Sequence, residues 1–155
     1  MKNIELNYVS EKQETILQFL LSKGFSSNNI FHEIKNKNVY VDGVPVRDKN
    51  ILILAKQKIK IILNQESNDL IKNETEIEKL YEDEYLLIVN KPANLHVEPY
   101  KIGTNNNLAS MVANYFFQNQ IPSKVHLVNR LDKCTSGIVI IAKNRYIKNL
   151  FTTTD

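Results

Sequence analysis

The chain of 155 residues contains a single cysteine, Cys134, so it cannot close an internal disulfide. No arrangement of His or Asn beside Cys134 marks it as a nucleophile, and it reads as a small turn residue. Long apolar runs are equally scarce. The longest, Ile138 to Ala142, falls far short of the roughly 20 residues that a membrane-crossing helix needs. The opening Met1-Lys2-Asn3-Ile4-Glu5 lacks the apolar core of a secretory signal, so a cytoplasmic location is the expectation. What is present is an ordinary apolar content, 43%, in a chain long enough for one domain or two small ones.

Net charge is only +3, yet it is unevenly spread. Residues 1–64 carry ten Lys and Arg against six Asp and Glu, residues 65–98 three against nine, and residues 99–155 seven against two. Two basic segments thus flank an acidic spacer. The arrangement suits a polyanion touched at two places, with the acidic stretch turned away.

Thr15 to Leu21 reads as a short apolar helix ended by Gly24. A second helix starts at Ser26 or Ser27, whose hydroxyl caps the free amides, and carries Ile30, Phe31 and Ile34 on one face. Val39-Tyr40-Val41 and Val44-Pro45-Val46 flank Asp42-Gly43, a strong hairpin signal because both central positions of the favoured turn need positive φ. Lys58 to Leu63 then reads as a closing strand, with Ile59, Ile61 and Leu63 opposite Lys58, Lys60 and Ile62.

The apolar first helix, the Ser-capped second helix and the run Val39-Tyr40-Val41-Asp42-Gly43 resemble the alpha-L RNA-binding domain, known from a small-subunit ribosomal protein, tyrosyl-tRNA synthetases and many pseudouridine synthases. The resemblance covers roughly residues 14 to 63 and implies an RNA-binding domain over residues 1–63. Asn28 lies where that family usually has Arg or Lys, Lys37 replaces a usual Gly, and Lys56-Gln57 replaces a usual Gly-Asp. Lys35, Lys37, Arg47 and Lys49 are then the natural RNA contacts.

Residues 64–76 are Asn/Glu-rich without apolar period and read as a linker, with a second domain over residues 77–155. Tyr85 to Val89 reads as a buried strand that runs into Asn90-Lys91-Pro92-Ala93-Asn94-Leu95. Leu108, Met111, Val112, Tyr115 and Phe116 recur at helical spacing, as a core-facing stripe. Val125 to Val128 delivers the chain to Asn129-Arg130-Leu131-Asp132-Lys133-Cys134-Thr135-Ser136-Gly137, and Ile138 to Ala142 follows as a strand expected to be buried on both faces. One carboxylate thereby sits at the tip of a turn, between a basic residue and a Thr-Ser-Gly segment.

In order and spacing, Asn-Lys-Pro-Ala, the helix, Arg-Leu-Asp, Thr-Ser-Gly and the apolar strand resemble the RluA-type RNA pseudouridine synthases. The resemblance implies an α+β chain: a two-helix, twisted-sheet RNA-binding domain, then the N-terminal part of a mixed or antiparallel-sheet catalytic domain. It implies Asp132 as the catalytic residue and Arg130 as an RNA contact close to an extruded base. Lys133 is the other local cation, while Thr135 and Ser136 shape the turn and donate to phosphate or base. Asn94 replaces the family's Gly, Glu98 stands where His often precedes Pro99, Asn129 where His commonly precedes Arg-Leu-Asp, and Cys134 where an acid is frequent.

Converting uridine to pseudouridine requires breaking the glycosidic bond, rotating the uracil and rejoining it through carbon, for which no metal or other cofactor is needed. An ionised carboxylate can attack the sugar or the ring, or remove a sugar proton. In a dry pocket it needs a cation or amide donors, because burial alone raises its pKa, and Arg130 and Lys133 are the local candidates. The implied partner is structured RNA, ribosomal or transfer, with no membrane, no metal and no particular oligomeric state.

Two rivals exist. An aspartic protease needs Asp contiguous with Thr/Ser-Gly and a second carboxylate, whereas Lys133 and Cys134 separate Asp132 from Thr135. A noncatalytic RNA-binding protein would tolerate decay of the triplet, but Arg130-Leu131-Asp132 is intact. Only a short tail follows Asp132, where a catalytic domain of this kind is expected to need roughly 200 residues. The family's later motifs, including the Arg that pairs with the Asp, have no counterpart, so the chain is expected to be C-terminally truncated and inactive by itself.

Overall fold

The computed structural model describes residues 3–152; the end of the expected tail, from residue 153 on, lies outside them. The chain divides between Gln65 and Glu66 into two units, each α+β with antiparallel sheets.

The first unit contains β1 (Ile4–Val9), β2 (Glu14–Thr15), α1 (Ile16–Ser22), α2 (Ser27–Lys35), β3 (Val39–Val41), β4 (Val44–Pro45), β5 (Leu52–Ile53) and β6 (Lys58–Leu63). Its main sheet runs in the order β1-β6-β3-β4, and β2 pairs with β5. Thr15 and Gln18 close a reciprocal capping box at the start of α1, and the Ser26 hydroxyl accepts from Asn29 N at the start of α2. Ile16, Phe19 and Leu20 from α1 and Ile30 and Ile34 from α2 are buried, as are Ile59, Ile61 and Leu63 from alternate positions of β6.

The Asp42-Gly43 turn has φ of 47° and 80°, the paired positive values that its sequence demands. Asp42 adds to the turn by accepting from Lys58 N at 2.8 Å and Gln57 Nε2 at 2.9 Å, bonds that hold its carboxyl below the usual range. β1, which the sequence pattern did not suggest, pairs with the whole of β6. Its weak alternation of Ile4, Leu6 and Tyr8, each only half-buried, is the signature of an edge strand rather than a core one.

The second unit contains β7 (Glu78–Glu82), β8 (Leu86–Lys91), α3 (Leu108–Gln118), β9 (His126–Leu127), β10 (Gly137–Ala142) and α4 (Arg145–Thr152). The sheet order is β7-β8-β10-β9. α3 starts at Asn107, whose Oδ1 accepts from Ser110 N at 2.9 Å. Leu108, Val112 and Phe116 pack with Leu87, Val89, Val139, Ile141, Leu127 and Val97 into one core.

One expectation changes here. β10 is buried on one face only: Val139 and Ile141 face the core, Ile140 is half-buried and Ile138 is 56% exposed. This is the ordinary state of an antiparallel sheet with a helix on one side, which a continuous apolar run conceals. Residues 64–76 contain neither helix nor strand, but from Glu66 onward they bind the second unit. Glu66 N donates to Pro122 O at 3.1 Å and its carboxylate pairs with the buried His126. Asn68 donates to Ser123 O at 2.7 Å and accepts from Val125 N at 2.9 Å.

β7, α3 and the residue after β10 are tied together by one carboxylate. Glu82 accepts from Lys79 Nζ at 2.8 Å, Tyr115 Oη at 2.6 Å and Lys143 Nζ at 3.0 Å. Burial pulls this carboxyl upward, but the three donors outweigh it and hold it at about 2, against an ordinary 4.5. Because the folded value lies below the unfolded one, the stabilisation is complete above pH 4.5 and fades as pH falls toward about 2. Urea unfolding followed across that interval is expected to lose stability less steeply in Glu82→Gln than in the native chain, with the remaining slope carried by groups such as Asp83 and Glu66, which are lowered too.

Candidate functional site

The nine residues from Val128 to Ser136 leave β9 and return as β10. Their exit is fixed by a side chain that imitates a strand. Val128 N donates to Ile140 O at 2.9 Å, and one residue on Asn129 takes over, its Oδ1 accepting from Ile140 N at 2.8 Å and its Nδ2 donating to Ile138 O at 3.0 Å. Leu131 is half-buried against the core. The turn closes through Thr135 N to Asp132 O at 3.1 Å, and the return begins at Gly137, whose φ of 139° is open to glycine and strained for other residues.

Lys91, the last residue of β8, anchors the turn from below. Its side chain is 0% exposed, and its Nζ donates to Pro92 O and Leu95 O at 2.8 Å and to Lys133 O at 3.1 Å. Three carbonyls take up the three ammonium protons, with no carboxylate involved. Burial pushes this lysine below its usual range. One cation therefore joins the Pro92–Leu95 loop to the Asp132 turn. Sequence reasoning gave Lys91 no role, although the two-residue period Leu87, Val89, Lys91 already placed it on the core side of β8.

Asp132 itself is exposed at the tip, as are Arg130, Lys133, Thr135 and Ser136. The cation expected beside Asp132 is elsewhere: the Arg130 guanidinium donates to Glu98 Oε2 at 2.8 Å. Among the described residues no side chain forms an ion pair with Asp132, and Lys133 contributes its carbonyl to the Lys91 anchor. In the first unit Lys35 ends α2, Lys37 lies in the turn after it, and Arg47 and Lys49 lie between β4 and β5, all exposed. Among the described residues no cluster of His, Cys, Asp and Glu is placed to hold a metal ion, and no helix is long and apolar enough to cross a membrane.

Replacement of Lys91 by Ala would leave three partly buried carbonyls without their donor and a void beneath the turn, at an expected cost of about 3 kcal/mol. Urea unfolding of Lys91→Ala checks this, and a loss under about 1 kcal/mol would show that water replaces the ammonium there.

Residues 85–153 match the family model described as RNA pseudouridylate synthase. The chain is 34% identical over 97 residues to the uncharacterized RNA pseudouridine synthase YhcT of Bacillus subtilis (strain 168), a match covering 62% of the chain and 32% of that protein. An uncharacterized RNA pseudouridine synthase of Mycoplasma capricolum is 30% identical over 166 residues, covering 94% of the chain and 53% of the relative. Ribosomal large subunit pseudouridine synthase C of Buchnera aphidicola subsp. Schizaphis graminum is 30% identical over 145 residues, covering 90% and 42%. The chain thus spans between about a third and about half the length of these relatives. Over these spans the chain is similar to RNA pseudouridine synthases.

Proposed function

Taking the RNA pseudouridylate synthase match of residues 85–153 as premise, we propose that the chain serves the isomerisation of uridine to pseudouridine in ribosomal or transfer RNA, in the cytoplasm, with Asp132 as the catalytic carboxylate. The observation that carries this reading is the construction of the turn. Asn129 and Lys91 hold its two sides by hydrogen bonds, and Asp132 is left exposed between them. A group that touches a substrate must be both held and reachable.

The reaction is redox-neutral. The bond from the sugar C1′ to uracil N1 breaks, a bond from C1′ to C5 forms, the hydrogen on C5 leaves as a proton and N1 takes up a proton, so atoms and electrons balance with no redox partner. A uridine within folded RNA must first be extruded, at a cost of a few kcal/mol. In this proposal Arg130 and Lys133 offset that cost near the turn, Thr135 and Ser136 donate to phosphate or base, and the first unit acts as the RNA-binding domain of alpha-L type, through Lys35, Lys37, Arg47 and Lys49.

The engagement of Arg130 with Glu98 and the absence of an ion pair on Asp132 among the described residues favour a second reading for residues 1–155 taken alone, RNA binding without turnover. Incubated with RNA tritiated at carbon five of uridine, the chain is expected to release no tritium above background. Efficient release would overturn this second reading, and Asp132→Asn must then abolish release for the carboxylate to be catalytic. Anisotropy titrations with a structured ribosomal or transfer RNA fragment are expected to show affinity falling linearly with salt on logarithmic axes. Replacing Lys35, Lys37, Arg47 and Lys49 together by Ala should flatten that slope by about 3.6, at roughly 0.9 for each phosphate that the protein then leaves to its counterions. Asp132→Asn should leave affinity within about twofold, since a catalytic carboxylate contributes little to backbone binding. A chain that binds no RNA at low salt would sink the assignment.

A further inference from the structure

We infer that the loop joining β8 to α3 carries a second nucleotide subsite beside the Asp132 turn, in which an unpaired base of the RNA stacks on Tyr100 while its phosphate takes Arg130 away from Glu98. The inference rests on the RNA reading above and adds a place and a mode of contact to it.

The loop is pinned at its base. Lys91 binds Leu95 O, Leu108 N donates to His96 O at 2.9 Å, Ala109 N donates to Val97 O at 2.9 Å, and the Val97 side chain is buried. Beyond these anchors the loop turns its apolar surface outward. Tyr100 is 66% exposed, and Ile102, at 100%, is the most exposed large apolar residue among those described. The Tyr100 ring is not loose, because it lies on the His96 imidazole with centroids 5.0 Å apart and planes 29° apart. An open recess of about 620 Å³ has Asp69, Ile71, Pro99, Tyr100, Lys101 and Ile102 among its lining residues. A flat, pre-oriented ring beside a cation is the arrangement that binds single-stranded bases without sequence preference.

Glu98 connects this surface to the turn. It directly precedes Pro99 and Tyr100 and binds Arg130 at 2.8 Å, between two side chains that both remain exposed. An exposed carboxylate pair of this kind is weak, and an RNA phosphodiester offers the same guanidinium an equivalent pair of oxygens with the same single charge. Glu98 therefore occupies the place of a phosphate until RNA arrives. Lys101, next after Tyr100, supplies the following cation.

The chain has no tryptophan, so Tyr100→Trp introduces a single indole at the proposed platform. Titration of that variant with a short oligouridine should quench the indole, whereas inorganic polyphosphate, which has charge but no base, should not. By anisotropy, Tyr100→Ala should bind the oligouridine about tenfold more weakly and Tyr100→Phe within about twofold of the native chain. Glu98→Gln should bind about threefold more tightly, since it removes the competitor for Arg130. Circular dichroism melting confirms that each variant is folded.

If the native chain binds RNA and Tyr100→Ala binds equally well, the subsite is refuted while the RNA reading stands. Equal quenching by polyphosphate also refutes it, by showing that no base is stacked. If the native chain binds no RNA at all, the subsite and the RNA reading fall together.

Discussion

A lysine ammonium fully enclosed by protein, satisfied by three backbone carbonyls and by no carboxylate, is the constraint around which the second unit is arranged. Taking a cation out of water is expensive, and the cost is recovered only where every proton meets an acceptor in good geometry. Lys91 meets that condition because the chain on either side of the site bends toward it, Pro92 and Leu95 from its own loop and Lys133 from the turn across the sheet. Neither loop is regular structure, and both leave the paired ends of β8 and β10, where Lys91 lies opposite Gly137. The same ammonium that is costly to bury thereby specifies where two irregular segments meet, and the exposed groups on them, Asp132 on one side and Glu98 on the other, inherit that placement.

Much of the first unit was legible because its signals are local. The capping hydroxyl of Ser26, the Asp42-Gly43 turn and the alternation of β6 each depend on residues a few positions apart. The backbone is left-handed at several residues other than glycine, in this unit and beyond it. Lys37, Lys56 and Asn94 have φ of 57°, 72° and 63°. This is a geometry that glycine adopts freely and that other residues adopt under strain. The elements that escaped notice are those whose stability comes from distant partners. β1 depends on β6 some fifty residues later, β7 is an edge strand whose Glu-Lys-Leu-Tyr-Glu is mostly exposed, and α4 follows β10 with only Tyr146 buried.

The site was legible as a place and not as a set of contacts. The order of basic residue, carboxylate and Thr-Ser-Gly located an exposed turn between two strands, which is a statement about chain direction and turn chemistry. It did not reveal that Arg130 turns to Glu98, since ion pairing between segments thirty-two residues apart leaves no trace in either segment alone. The reading of β10 as buried on both faces failed for a related reason. Hydrophobicity records what a residue tolerates, while exposure records what lies above it, and Ile138 has the first without the second.

Asn129 lends this architecture an unusual kind of freedom. Where β9 stops, its carboxamide goes on satisfying the β10 backbone at Ile138 and Ile140, so the chain departs from the ladder without leaving an orphaned amide behind. Strand register is consequently settled before the hook begins. The exposed side chains of Arg130, Asp132, Thr135 and Ser136 can thereby be exchanged for a different recognition task, while Leu131 against the core and the Lys133 carbonyl on Lys91 keep the hook on its scaffold.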